Sequence, residues 1–92
     1  MSDVSEASEA IKNLESMVSG YMAYDAMVGG IVSQGCQILA EAREFLKNPT
    51  KKNVQEARKR VQTCKDNATP YAAEAPDVIN QIAVVMEKLQ RL

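Results

Sequence analysis

A heptad repeat of apolar residues runs in phase from Val4 to Leu46 and constrains the fold more than any other feature of this sequence. Nearly all a and d positions are apolar, and the adjacent g positions are apolar too. A stripe with this period is typical of an α-helix that packs against other helices. The pattern predicts one long N-terminal helix over about 4–47, roughly 65 Å long at 1.5 Å per residue.

Proline and capping residues divide the second half of the chain into shorter helices. Asn48-Pro49-Thr50 combines a helix stop with an N-cap, which predicts a second helix over about 50–68. Pro70 and Pro76 interrupt the segment that follows, so a third helix is expected over about 72/77–92. The sequence therefore predicts an all-α single domain, 1–92, folded as a helical hairpin or a three-helix bundle.

An alternative fold breaks the long helix at Gly29-Gly30 and gives a compact four-helix bundle. Two adjacent glycines cost about 2 kcal/mol inside a helix, which favours a turn there. Met27-Val28 and Ile31-Val32 flank the glycines directly and offer no side chain that could cap a new helix end. The heptad also continues through the glycines without a shift, so the single helix is the leading prediction.

The stripe on a helix of this length is broader and longer than the second half of the chain can cover. We therefore expect it to bind a second copy of the chain or a partner helix, in the manner of a coiled coil. Asp25 falls on a core position, where it would bind a tyrosine or a basic group, would lie near a solvated kink, or would fix register and oligomeric state. The predicted interface comprises Ile11, Leu14, Val18, Tyr21, Asp25, Val28, Ile31, Val32, Ile38 and Leu39.

Charge is distributed unevenly, although the net charge is only −1. Residues 1–46 carry −5 and residues 47–65 carry +6. The positive residues of the second helix are expected to form a solvated face or to bind an acidic partner. Their use by a nucleic-acid-binding regulator is an alternative, which the acidic overall composition and the lack of interleaved aromatic residues disfavour. This basic face comprises Lys51, Lys52, Arg58, Lys59 and Lys65.

The side chains that usually carry catalysis or bind metals are sparse in this sequence. There is no histidine, and Cys36 and Cys64 do not form a CxxC pair. No glycine-rich phosphate-binding motif or nucleophile elbow occurs. The sequence therefore predicts no catalytic residues, no metal site, no cofactor and no small-molecule substrate.

The expected location is cytoplasmic, because the first residues lack a basic start followed by an apolar run. A membrane-associated protein is a further alternative, since residues 17–40 contain Asp25 as their only charged residue. The glutamines and serines of that segment disfavour insertion. The function expected from the sequence is a non-enzymatic protein–protein interaction or assembly module, an oligomeric adaptor that self-associates through its long helix.

Overall fold

Four α-helices and two single turns of 3₁₀ helix make up the secondary structure of the computed structural model, which describes residues 2–92. The helices are α1 (Asp3–Ser19), α2 (Ile31–Leu46), α3 (Lys51–Ala68) and α4 (Pro76–Gln90). The 3₁₀ turns are Met22–Tyr24, between α1 and α2, and Thr69–Tyr71, between α3 and α4. The prediction of an all-α fold is confirmed.

Local chemistry explains where three of the helices begin. The Ser2 hydroxyl accepts a hydrogen bond from the Ser5 backbone N–H at 3.1 Å, and the Thr50 hydroxyl does the same for the Asn53 N–H at 3.1 Å. Each of these N-caps satisfies a backbone donor that the helix itself leaves free. Pro76 occupies the first turn of α4, where its missing N–H costs nothing. The predicted starts near residue 50 and at Pro76-Asp77 agree with these ends.

The prediction of one helix over 4–47 is wrong, and the alternative with a turn at Gly29-Gly30 is the observed fold. The chain leaves α1 at Ser19, and the next α-helix begins only at Ile31. Gly29 and Gly30 have φ angles of +68° and +82°, in the left-handed region where glycine lacks the steric penalty of other residues. The chain reverses through this turn, so neither a long hairpin nor a three-helix bundle forms.

The heptad runs through the turn in phase because of the length of the connection. Val18 is the last buried residue of α1 and Val32 the first of α2. Fourteen positions separate them in the sequence, which is two heptads, so the reversal leaves the apolar pattern unshifted. Periodicity therefore identified the buried face of both helices but could not reveal the break between them.

The helices form an up-down-up-down bundle in which α1 packs against α2 and α4, while α3 packs against α2 and α4. The bundle measures 37 × 19 × 19 Å. Each helix contributes one heptad-spaced stripe to a shared core, and burying a large aliphatic side chain there contributes about 1.5–3 kcal/mol. The largest fully buried side chains are Ile11, Leu14, Leu39, Ile82, Leu89, Val61 and Val85.

Polar contacts fix the helices relative to one another around this core. The Arg43 guanidinium donates to both carboxylate oxygens of Glu15, which joins α2 to α1 and raises the pKa of Arg43. Arg58 on α3 donates to the Leu89 carbonyl oxygen near the end of α4, at 2.8 Å. These bonds use partly buried polar groups to join neighbouring helices.

Candidate functional site

The connections α1–α2 and α3–α4 lie at the same end of the bundle, and an apolar cavity of about 460 Å³ opens between them. We call this region the cavity end and define it as the cavity lining together with residues 20–30 and 69–75. A volume of this size lies within the usual range of ligand and side-chain binding pockets. Its lining comprises Val18, Tyr21, Tyr24, Met27, Val28, Ile31, Val32, Gly35, Cys64, Asn67, Ala68, Tyr71, Glu74, Ala75 and Val78.

Small residues leave this space unfilled. Gly35 on α2 is buried against Val18, and a Cβ at Gly35 would lie 3.4 Å from a Val18 methyl carbon. Ala68 and Ala75 face the cavity from the end of α3 and the residue before α4. Tyrosine and methionine side chains of the loops line the cavity without filling it, so the apolar walls stay open to one side.

Exposed apolar side chains are concentrated in the first of the two loops. Met22 is 43% exposed, Tyr24 55% and Met27 81%. Tyr24 and Met27 also line the cavity, so the exposed patch and the cavity form one continuous surface. Methionine and tyrosine are adaptable or amphipathic contact residues that are enriched in protein interfaces.

Asp25 holds the first loop in position by capping α2 from a distance. Its carboxylate accepts hydrogen bonds from the Ser33 backbone N–H at 2.8 Å and the Ser33 hydroxyl at 2.9 Å. The Gly30 N–H donates to the Asp25 carbonyl oxygen at 2.8 Å. The hydrogen bond from the Ser33 N–H lowers the pKa of Asp25, so the carboxylate is charged at neutral pH. Asp25 therefore lies in the loop and caps a helix, and it does not occupy a core position.

A second polar contact joins the two halves of the bundle beside the cavity. The Tyr21 hydroxyl donates to the Asp77 carboxylate at 2.7 Å, which connects the residues after α1 to the start of α4. This hydrogen bond raises the pKa of Tyr21, because ionisation of the phenol would remove the proton it donates. Tyr21 is thus oriented, with its ring in the cavity wall and its oxygen at the rim.

The electrostatic character of the cavity end is acidic. Glu74 is the only charged residue in the cavity lining, and neither lysine nor arginine is among the lining residues. Over residues 17–37 and 62–80, which surround the cavity, Asp25, Asp66, Glu74 and Asp77 stand against Lys65 alone. The site thus combines an apolar interior with a negative rim.

The two cysteines are free thiols placed on neighbouring helices at this end of the core. Cys64 is buried in the cavity wall, and burial raises its pKa to about 11. Burial also raises the pKa of the half-buried Cys36. A thiol with a raised pKa is a poor nucleophile at neutral pH, so both cysteines act here as small apolar side chains.

The bundle places the predicted interface residues in two environments. Ile11, Leu14, Val18, Val32 and Leu39 are buried in the core of the chain itself. The other five are half-buried. Three of these line the cavity, namely Tyr21, Val28 and Ile31, whereas Asp25 caps α2 and Ile38 lies further along that helix.

The predicted basic face extends along the whole of α3, and part of its charge is used within the bundle. Arg58 binds the Leu89 carbonyl oxygen, and Lys59 lies 3.5 Å from a Glu56 carboxylate oxygen. Lys51 and Lys52 lie in the first turn of α3, and Lys65 lies in its last turn. About 20 Å of helix therefore separates Lys65 from the other two lysines. The five residues are therefore not concentrated in one patch.

Sequence reasoning missed most of the cavity lining that comes from the second half of the chain, including Ala68, Tyr71 and Glu74. The one signal present concerned the lining residues of the first half: in the stretch between Glu15 and Glu41, Asp25 is the only charged residue.

Within residues 2–92, no helix has both the length and the apolar character needed to cross a membrane. The described part of the chain also contains no group of three side chains suited to binding a metal ion.

Comparison with protein-family models, with curated protein sequences and with solved structures found no significant match in any of the three.

Proposed function

We propose that this chain is a non-enzymatic protein–protein interaction module, an adaptor that binds its partner through the cavity end. The observation that carries the proposal is the apolar cavity of about 460 Å³, whose lining includes the exposed side chains of Tyr24 and Met27. A concave apolar site with apolar residues at its rim is suited to receive the side chains of a partner segment.

This proposal moves the interaction from the long stripe expected from the sequence to one end of the bundle. The stripe residues Ile11, Leu14 and Leu39 have no measurable exposure, because they form the core of the chain itself. A partner could reach them only by unfolding the bundle. The cavity and its rim are accessible in the folded chain, so binding there does not require unfolding of the bundle.

Charge favours a different protein over a second copy as the occupant. An end-to-end dimer would bring the acidic rims of two cavity ends together, with Asp25, Glu74 and Asp77 of each copy facing those of the other. Like charges placed opposite each other across an interface oppose binding. A partner segment that is apolar and not acidic avoids this repulsion.

Selection of peptides on the folded chain would test the proposal. A displayed peptide library is selected against the full-length protein, and the binding surface of each selected peptide is mapped by chemical-shift changes in isotope-labelled protein. We expect the shifts to concentrate on Tyr24, Met27, Val28 and Tyr71. Filling the cavity by Ala68→Phe should weaken binding at least tenfold, which corresponds to about 1.4 kcal/mol.

Two further variants separate an effect on binding from an effect on folding. Ala40→Phe adds the same ring to an exposed position of α2 outside the cavity lining, and should leave binding unchanged. Met27→Ser alters an exposed side chain and should weaken binding without changing the melting temperature. Peptides that map to residues 51–60 of α3 or to the end of the bundle opposite the cavity would refute the proposal, as would a concentration-dependent dimer that Met27→Ser disrupts.

A further inference from the structure

We infer that the partner segment carries a lysine or arginine whose aliphatic stem lies along the apolar walls of the open cavity and whose charged end lies at the rim, beside the tyrosines and Glu74. The inference rests on the proposed function and adds the chemistry of the residue that is recognised. It follows from three independent features of the cavity: its aromatic residues, its single charge and its apolar walls.

The aromatic residues of the cavity are all tyrosines. The chain contains three tyrosines, and all of them, Tyr21, Tyr24 and Tyr71, line this one cavity. Tyr21 and Tyr24 come from the α1–α2 loop and Tyr71 from the α3–α4 loop, and the two loops meet only in the folded bundle. The faces of tyrosine rings carry partial negative charge and attract ammonium and guanidinium groups. The hydrogen bond from Tyr21 to Asp77 holds one of these rings in place.

The charge of the lining agrees with a cationic ligand. Glu74 is exposed and is the only charged lining residue, so an arriving cation meets one carboxylate and no competing lysine or arginine. An acidic ligand would meet Glu74 and the surrounding carboxylates without compensation. A neutral apolar ligand would contact the walls and the tyrosine rings but would leave Glu74 without an oppositely charged partner.

The apolar walls and exposed rim of the cavity agree with a side chain that is apolar along its length and charged at its tip. Lysine and arginine bury their methylene stems on apolar surfaces while the charged end stays near water. Here Val18, Val32 and Val78 provide apolar walls, and Glu74 and Tyr24 are exposed.

The bundle already contains one contact of this kind elsewhere. The Arg60 guanidinium carbon lies 5.2 Å from the centre of the Phe45 ring, and Arg60 also donates to Glu41 at 3.2 Å. A cation that contacts an aromatic face and a carboxylate together is the arrangement we infer for the cavity. That example is formed within the chain, whereas the cavity provides the ring and carboxylate components without the cation.

A double-mutant cycle on a selected peptide that maps to the cavity would test the inference. We expect such peptides to contain a lysine or arginine between apolar residues. Replacing it by norleucine keeps the stem and removes the charge, and should weaken binding about 5- to 30-fold. Glu74→Gln should weaken binding of the cationic peptide several-fold and leave that of the norleucine peptide unchanged, whereas Tyr71→Leu also alters an apolar wall and should weaken binding of the cationic peptide more than that of the norleucine peptide.

Asp66→Asn provides the matched control for general electrostatic attraction. Asp66 lies at the same end of the bundle, outside the cavity lining, and should change the dissociation constant less than twofold. Peptides that map to the cavity but lack a basic residue, or that bind equally with norleucine, would overturn this inference and leave the proposed function standing. Equal losses from Asp66→Asn and Glu74→Gln would also overturn it. Peptides that map elsewhere would refute the proposed function itself.

Discussion

The glycine turn gives the sharpest test of the fold. Replacing both glycines by alanine should lower the free energy of unfolding if they form a turn, and raise it if they lie in a continuous helix. Gly29 and Gly30 have φ angles of +68° and +82°. A Cβ at Gly29 would meet no atom within 4 Å, and one at Gly30 would lie 4.0 Å from the Ser33 hydroxyl oxygen. The cost of alanine at both positions is therefore conformational and involves no collision.

The magnitude follows from the backbone geometry alone. A non-glycine residue in the left-handed region costs about 1–2 kcal/mol, and the loss of freedom in the unfolded chain offsets part of this. The double variant Gly29→Ala with Gly30→Ala should thus lose roughly 2 kcal/mol, a substantial part of the 5–15 kcal/mol typical of small domains. In a continuous helix the same pair would gain about 2 kcal/mol, since alanine is the best helix former.

Urea unfolding followed by the helical circular dichroism signal measures this difference directly. Asparagine provides the control, because it tolerates the left-handed region better than alanine yet forms helices less well. At a turn, the free energy of unfolding should decrease in the order glycine, asparagine, alanine. An increase from glycine to alanine, with an unchanged dependence on urea concentration, would refute the assignment of a turn at these residues.

Two further predictions concern titratable groups. Because the folded-state pKa of Asp25 is lowered, its stabilising contribution is present above its ordinary value of 3.8 and is lost as the pH falls through the folded-state pKa. Asp25→Asn should therefore lower the melting temperature at pH 7, and the difference from the parent protein should shrink below about pH 4; a difference independent of pH would contradict the cap. Burial raises the pKa of Cys64 to about 11, so a disulfide reagent at pH 8 should label the half-buried Cys36 first. After denaturation, the reagent should label the two cysteines at similar rates. Equal rates in the native protein would contradict this assignment.

The face that each helix buries could be predicted from the sequence. The heptad phase assigned to the first half places Ile11, Leu14, Leu39 and Ala42 on a and d positions, and all four are buried. This part of the prediction succeeds because the energy of burying apolar side chains dominates the choice of helix face. The choice is also local, since it needs no knowledge of which helices are neighbours.

The reversal between α1 and α2 was not predictable from local capping rules. An N-cap is sought in the residue immediately before a helix, and Gly30 offers no side chain there. The cap comes instead from Asp25, whose carboxylate accepts a hydrogen bond from the backbone N–H of Ser33, eight positions later in the sequence. A search for nearby capping residues cannot detect such a contact, because it exists only once the loop has folded back.

The cavity was even less predictable, because its walls come from segments far apart in the sequence. Tyr21 and Tyr71 are separated by fifty positions and meet only through the packing of four helices. Neither residue belongs to a recognisable motif. The small side chains of Gly35 and Ala68 also have no fixed meaning in the sequence, since they serve equally for close packing and for open space.

The reversal and the cavity have one physical origin. The heptad pattern of apolar residues continues beyond the end of α1 into the α1–α2 loop. Tyr21 and Val28 therefore occupy apolar heptad positions, although the loop crosses the end of the bundle and does not run along it. With no helix opposite them, they line an open end. The sequence predicted excess apolar surface along one long helix. In the structure, exposed apolar side chains are instead concentrated at the α1–α2 turn. Substitutions in the middle of the core should therefore act on stability, whereas those at the exposed rim, such as Met27, should act on binding.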